Sequence, residues 1–201
     1  GRKRREREHR LRGFAAANNL TMIDRVDQPT MPGARFELHR ENLSRWNEKV
    51  YRLPTERRVE VGEFIYLSHN AQMRTAYIAI ELPEPVPHMV LDSKANQFLG
   101  LSSLSVRPHG SQRLSLEGNF DDTFALSCPT GYEADALYLF TPDVMANLVD
   151  GASAFDVELV DNWAILTTPG FFEELDPYAW DRRIRAVNAI TAKVEQWRRW
   201  H

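Results

Sequence analysis

The residue best suited to nucleophilic chemistry is Cys128, the only cysteine in the chain. A catalytic cysteine needs a nearby base or a positive environment to form its thiolate, and no histidine occurs between residues 110 and 200. The residues around it are acidic, and nearby negative charge raises the pKa of a thiol. There is also no second cysteine for redox chemistry. We therefore predict a buried, structural Cys128 and no catalytic residues.

Histidines are the other candidates for acid–base or metal chemistry. Their spacings match no zinc signature, and the chain has no Walker loop, Gly-x-Gly-x-x-Gly motif or Gly-x-Ser-x-Gly motif. We predict no metal site and no cofactor, while a site built from residues distant in sequence remains an alternative. The histidines concerned are His39, His69, His88 and His109.

Positive charge is concentrated at the amino terminus. Seven basic side chains lie within residues 2 to 12, and Glu6 and Glu8 reduce the net local charge to about +5. Burying unpaired guanidinium groups is expensive. The arm is therefore expected to stay exposed and to bind anionic membranes through screened electrostatics. The predicted anionic-surface-binding residues are Arg2, Lys3, Arg4, Arg5, Arg7, Arg10 and Arg12.

Negative charge is concentrated in the second half of the chain. Residues 114 to 181 contain fourteen Asp or Glu residues and no Lys, Arg or His. Such a stretch repels itself unless its charges are solvated or face arginines from elsewhere. Near its end lie Phe171 and Phe172. If exposed, these two would form a surface for a protein partner, and if buried, they would close the core. Both interpretations remain open.

The elements that position these residues are clearest between residues 119 and 151. Apolar side chains alternate with smaller or polar ones over 124–128, as in a half-buried strand. Thr141 is placed to cap a helix that has Pro142 at its first position. Gly151 is placed to end that helix in the left-handed conformation. The sequence therefore predicts a central strand–helix unit.

Period-two alternation predicts strands on both sides of this unit, and Gly62 in the first of them suggests a bulge. The predicted elements are a helix over 2–19, strands at 59–67 and 75–82 joined by a loop at 68–72, a short strand at 88–91, a hairpin of strands 102–107 and 112–117, two strands at 155–159 and 163–165, and a helix over 177–200.

The closing helix has a stripe of apolar positions that step by four or three residues. They are Trp180, Ile184, Val187, Ile190, Val194 and Trp197. Hairpins with a few helices, and without regular βαβ alternation, predict an α+β fold. We expect an antiparallel sheet of hairpins packed with the central strand–helix unit and a C-terminal amphipathic helix. A basic arm over residues 1–12 would precede a single domain over 13–201.

The sequence also bears on the cellular compartment and on whether the chain is part of a longer protein. A single cysteine excludes an internal disulfide and favours a reducing compartment. No apolar run reaches the roughly 18 to 20 residues that span a bilayer, and the first twelve residues are too charged for a signal peptide. Gly1 stands directly before the basic run in place of an initiator methionine. We therefore expect the chain to be a segment of a longer protein. The absence of an apolar run long enough to cross a bilayer is then a property of this segment alone.

Two stretches of the sequence resemble a family of uncharacterised actinobacterial proteins. The first runs from Glu117 through Phe124–Tyr132 to Asp150, the second is Phe155–Trp163, and the closing helix is also similar. Relatives generally carry hydrophobic segments ahead of a basic juxtamembrane helix and a soluble domain. The resemblance implies a soluble domain of a membrane-anchored protein, and it implies no catalytic residues.

Charge and resemblance together predict a cytoplasm-facing domain of a membrane-anchored protein that serves interaction or regulation. Lys and Arg beside a span favour the cytoplasmic side, and each basic residue near anionic headgroups contributes about 1 kcal/mol. The expected partner is the membrane surface, with a protein partner as a further candidate. One alternative is a hydrolase or small-ligand-binding enzyme. Nucleic-acid binding through the arm is weaker, because the body of the chain is acidic.

Overall fold

The computed structural model describes residues 1–27, 29, 31–33, 44–68, 70–97, 110–170 and 177–198. Within these ranges nine strands form one antiparallel sheet in the order β1-β2-β3-β4-β9-β8-β5-β7-β6. The strands are β1 (Thr21–Asp27), β2 (Arg45–Arg52), β3 (Val59–Ser68), β4 (Ala71–Glu81), β5 (Met89–Ser93), β6 (Ser111–Leu114), β7 (Phe124–Pro129), β8 (Asp156–Val160) and β9 (Trp163–Pro169).

Five α-helices accompany the sheet in the described part of the chain: α1 (Arg2–Ala17), α2 (Phe120–Thr123), α3 (Glu133–Leu139), α4 (Pro142–Ala152) and α5 (Pro177–Arg198). The predicted α+β class, antiparallel sheet and C-terminal helix are confirmed. The central strand–helix unit corresponds to β7 and α4, although the prediction missed α3 between them. None of the helices in these ranges has both the length and the apolar character needed to cross a bilayer.

The hairpin of β3 and β4 is the longest in the sheet, and it differs from the prediction in two ways. Its register continues from Val59 to Ser68, where Ser68 pairs with Ala71, so the predicted five-residue loop is instead a tight turn. Asn70 in this turn has a positive φ of 66°. The bulge predicted at Gly62 is absent from this ladder and occurs instead in the ladder of β3 with β2.

Gly62 has another role, which explains why the residue is glycine. A Cβ atom at Gly62 would lie 3.0 Å from the hydroxyl oxygen of Tyr77 and 3.2 Å from its ring, so the missing side chain leaves room for that ring on the next strand. The predicted bulge lies on the other side of β3, because Lys49 and Val50 of β2 face Gly62 alone, between the pairs Glu48–Glu63 and Tyr51–Val61, and Lys49 has a φ of 51°.

The two faces of the sheet carry separate cores. The helix face, which includes Val61, Ile78 and Leu166, contributes to the larger cluster together with buried residues of all five helices. The opposite face carries a smaller aromatic cluster that includes Phe64 and Tyr77. Because side chains alternate along a strand, residues of even and odd number on β3 belong to different faces.

Helices α4 and α5 pack closely at Gly151. The residue lies inside α4, which continues to Ala152, so the prediction that Gly151 ends the helix in the left-handed conformation is wrong. A Cβ atom here would lie 2.8 Å from the carbonyl carbon of Arg182 and 3.3 Å from the amide nitrogen of Arg183. Glycine is therefore needed because the backbone of α5 passes directly over it.

The apolar stripe of α5 is confirmed over its central part. Val187, Ile190 and Val194 are buried, and Trp197 is half-buried against the same core. Ile184 was expected in the stripe but is 42% exposed. Ala186 is buried in the core instead. It lies one turn after Arg182 and therefore faces α4, which approaches α5 closely there. The side chain of Trp180 lies outside the described residues.

The other predicted strands agree in part with the structure. Strands β8 and β9 turn at Asp161 as expected, and the predicted strand at 88–91 corresponds to β5. Residues 102–107 of the predicted second hairpin lie outside the described residues, and residues 112–117 overlap β6. Strand β1 was missed, because this edge strand is largely exposed and its charged residues hide any alternation.

Candidate anionic-surface interface

Helix α1 lies on the helix face of the sheet and is held there by one side. Leu11 and Ala15 are buried in the larger core, and Arg7 lies one turn before Leu11 on the same side of the helix. Apolar burial by α1 therefore begins at Leu11. The expectation that every basic residue of the arm stays exposed is wrong for Arg7, whose side chain is only 16% exposed.

The cause of this burial is Glu63 on β3, whose side chain is 0% exposed. Its carboxylate accepts hydrogen bonds from Arg7 of α1 and from Arg74 of β4. Directly across from it on β2 lies Glu48, which accepts from the indole nitrogen of Trp46 at 2.8 Å and from Arg74 at 3.3 Å. Arg74 thus bridges two carboxylates that would otherwise repel each other.

The pKa of Glu48 reflects this arrangement. Burial by itself acts to raise the pKa, but the hydrogen bond from Trp46 and the charge of Arg74 outweigh it and lower the pKa below the ordinary value. The carboxylate therefore stays ionised near neutral pH, and the cluster keeps its alternating charges. A helix with basic residues is in this way fixed to the sheet by a buried ion network.

A second set of ion pairs orients the middle of α1. Arg12 lies 2.9 Å from Asp24 and 3.2 Å from Glu8, and Lys49 lies 3.5 Å from Glu8. Hydrogen bonds from Arg12 lower the pKa of both carboxyls. Arg12 and Asp24 are more than half exposed, and exposed pairs contribute little to stability. Their effect is that Arg12 and Lys49 already have carboxylate partners within the domain.

The structure thus divides the seven predicted surface-binding residues into two groups. Three of them have carboxylate partners: Arg2 pairs with Glu6, Arg7 with Glu63, and Arg12 with Glu8 and Asp24. The side chains of the other four are exposed and make no ion pair or hydrogen bond with any residue in the described ranges. These unpaired cations are Lys3, Arg4, Arg5 and Arg10.

Three of the unpaired cations border a cleft of about 670 Å³ between α1 and the sheet. Lys3, Arg4 and Arg10 line its helix side, while Glu48 and Arg74 belong to its sheet side. The cleft is polar and open. No group of three or more potential metal ligands occurs in the part of the chain that the structure describes. The arrangement suits electrostatic attraction of an anionic surface, and it contains no activated nucleophile.

Cys128 is buried in the larger core. Burial and, to a smaller extent, the charge of Glu133 raise the pKa of its thiol, against a hydrogen bond from Gln112 that lowers it. This agrees with the structural role predicted from the sequence.

We expect Cys128 to be chemically inert in the native protein. At pH 7 an aromatic disulfide reagent should label it far more slowly than it labels the guanidinium-unfolded chain, because the native thiol is both inaccessible and protonated. Rapid labelling of the native protein would contradict this. The Cys128→Ser variant gives the background of the assay.

No local pattern predicts the pairing of His88 with Glu158, which lie 70 positions apart. The Nε2 atom of His88 lies 2.5 Å from the Oε1 atom of Glu158. A Cβ atom at Gly33 would approach the other oxygen of this carboxylate to 2.9 Å, so the segment over Gly33 lies directly against the pair. The side chain of Glu158 is 8% exposed and that of His88 is 30% exposed, so the pair is reached by solvent from the histidine side.

Several predicted candidates fall outside the described residues. They are the histidines His39, His69 and His109 and the predicted partner surface of Phe171 and Phe172. Their roles therefore stay predictions.

Neither a protein-family model nor a curated protein sequence matches the chain. A solved structure does match its fold: the crystal structure of the mycobacterial trehalose monomycolate transport factor A. The two superimpose with a TM-score of 0.62 over 94% of this chain and 95% of that chain, at 13% sequence identity. At this identity the likeness shows the fold alone. The resemblance to actinobacterial proteins is thus supported at the level of architecture.

Proposed function

We propose that this chain is an interaction or regulatory domain held at the cytoplasmic face of a membrane by the first half of α1. The observation that carries the proposal is the set of unpaired cations on a helix whose remaining basic residues are occupied. A cation without an internal partner can approach lipid phosphates without first breaking a salt bridge. The docked side of α1 fixes the direction in which these charges face.

The expected strength of this attraction is modest. At about 1 kcal/mol per basic residue near an anionic leaflet, four unpaired cations contribute about 4 kcal/mol, which corresponds to millimolar binding. Such an attraction orients a domain beside a membrane but does not anchor it. The proposal therefore includes a separate anchor in the longer protein, as the family resemblance implies.

The fold match supports the proposal in one respect. The mycobacterial protein with this fold is named as a transport factor, a description that suits a domain acting together with other components. We carry over only this accessory role and not its cargo.

Neutralising the unpaired cations of the cleft should weaken membrane binding. We expect Lys3→Gln/Arg4→Gln/Arg10→Gln to reduce binding to phosphatidylglycerol-containing vesicles by about 100- to 200-fold, measured by sedimentation at low salt. Binding of the intact chain should fall steeply as salt rises and be weak on phosphatidylcholine vesicles.

A matched variant controls for net charge. Arg113→Gln/Arg182→Gln/Arg185→Gln removes three exposed cations from other parts of the surface and should bind almost as well as the intact protein. Equal weakening in both variants would refute a specific role for α1. Tighter binding of the intact chain to duplex DNA than to anionic vesicles would favour the nucleic-acid alternative.

A further inference from the structure

Two large apolar side chains are exposed at the end of the β3–β4 hairpin. Leu67 is 42% exposed and Met73 is 44% exposed, although they belong to the longest strands of the sheet. The sequence from 64 to 73 contains no Asp, Glu, Lys or Arg, in a chain in which 26% of residues are charged. The hairpin therefore ends in a segment with apolar side chains and without Asp, Glu, Lys or Arg, in which His69 is the one basic residue. We call Leu67, Asn70, Ala71, Gln72 and Met73 the hairpin tip.

The two apolar side chains point to opposite faces of the hairpin. Leu67 shares its strand face with Val61 and Glu63, on the side that α1 covers. Met73 shares its face with Tyr77, on the side of the aromatic cluster. The register of the hairpin is regular up to the turn, so strand alternation assigns both faces without ambiguity.

The hairpin tip lies at the same end of the molecule as the first turns of α1. Gln72 and Arg74 line the same cleft as Lys3 and Arg4. Unpaired cations and exposed apolar side chains are thus neighbours on one end of the domain. This combination is typical of surfaces that bind the interface of an anionic bilayer, where cations meet phosphates and apolar side chains enter the acyl boundary.

We propose that the hairpin tip inserts Leu67 and Met73 into the interface of the anionic membrane that the unpaired cations attract. The inference rests on the proposed function and names the part of the domain that penetrates the lipid. A protein groove would cover one face of the hairpin and leave the other apolar side chain in water. A bilayer interface surrounds the hairpin tip, so it receives both side chains at once.

The test uses two pairs of apolar substitutions in the full chain. Leu67→Gln/Met73→Gln should lower partitioning onto vesicles of phosphatidylcholine and phosphatidylglycerol about tenfold, because the hydrophobic contribution of both side chains is lost. The matched control, Leu137→Gln/Ile184→Gln, removes two side chains that are 55% and 42% exposed elsewhere on the surface. It should bind like the intact protein.

Insertion also has a direct spectroscopic readout. Cys128 is the only cysteine and is buried, so a Leu67→Cys variant can be labelled selectively with an environment-sensitive fluorophore. Its emission should shift to the blue on anionic vesicles, while a label at Leu137→Cys should not shift. Unchanged emission at Leu67→Cys would overturn the inference.

The two proposals can fail separately. If Leu67→Gln/Met73→Gln binds like the intact chain while the α1 cation variant is weakened, the hairpin tip does not insert and the electrostatic proposal stands. If neither variant loses binding, the proposed function fails and the inference fails with it.

Discussion

Replacing Gly151 with alanine should lower the free energy of unfolding by about 2 to 3 kcal/mol. The new methyl group would press on the carbonyl carbon of Arg182 and the amide nitrogen of Arg183, at 2.8 and 3.3 Å. Both are backbone atoms and cannot rotate away, so α5 must move off α4 and loosen the core around it. For a chain of this size the melting temperature should fall by about 5 to 10 °C. Chemical denaturation followed by circular dichroism measures the effect.

Gly13 provides the matched control. It also lies inside a helix, α1, but a Cβ atom there would meet no heavy atom within 4 Å. Gly13→Ala should therefore stabilise the protein by roughly 0.5 to 1 kcal/mol through helix propensity. If the two alanine variants were equally stable, the close approach of α4 and α5 would be refuted.

Gly151 illustrates which features of the fold can be predicted from the sequence and which cannot. A glycine near the end of a helical pattern looks like a cap, because capping is a local signal. Its actual role depends on Arg182, a residue 31 positions later whose backbone crosses α4. Contacts of this kind follow from the way two helices pack, and local patterns do not encode them. Similarly, the bulge at Gly62 was predictable from the sequence, but the contact of Gly62 with the ring of Tyr77 on the neighbouring strand was not.

Local patterns were reliable where one chain segment determines its own structure. The turn between β8 and β9 at Asp161 and the buried centre of α5 were both predicted, since period and turn residues specify them. Edge strand β1 was missed because both of its faces carry exposed polar residues, so it lacks the alternation of a half-buried strand.

The basic residues of the candidate site could be predicted from the sequence, but their carboxylate partners could not. The basic residues of α1 are evident from the sequence. What separates the buried Arg7 from the exposed Arg4 is the ion pair of Arg7 with Glu63, which lies 56 residues further along the chain. The sequence does contain an indication that Glu63 is buried. It shares strand parity with the apolar Val61 and Ile65, which places a carboxylate on an inward face and requires a cationic partner there.

Removing the Glu63 carboxylate should be the most destabilising single change in the ion network. In Glu63→Ala, Arg7 and Arg74 lose the buried carboxylate they share, and breaking a buried ion pair in this way costs about 3 to 5 kcal/mol. We expect at least about 3 kcal/mol in urea unfolding, with faster hydrogen exchange in the first half of α1. Glu195→Ala is the matched control, because it breaks an exposed pair with Arg57 at 3.0 Å and should cost less than about 1 kcal/mol.

A triple replacement separates charge from packing. Arg7→Met/Glu63→Leu/Arg74→Met removes the fully buried carboxylate with both of its arginines and leaves Glu48, which is 22% exposed and keeps its hydrogen bond from Trp46. It should therefore recover most of the stability lost in Glu63→Ala. Both outcomes bear on the proposed function, since a docked α1 is what fixes the direction of the unpaired cations. If Glu63→Ala were as stable as Glu195→Ala, the network would not hold α1 to the sheet. Leu11 and Ala15 would then be the contacts that hold α1, and the direction of the unpaired cations would not depend on the network.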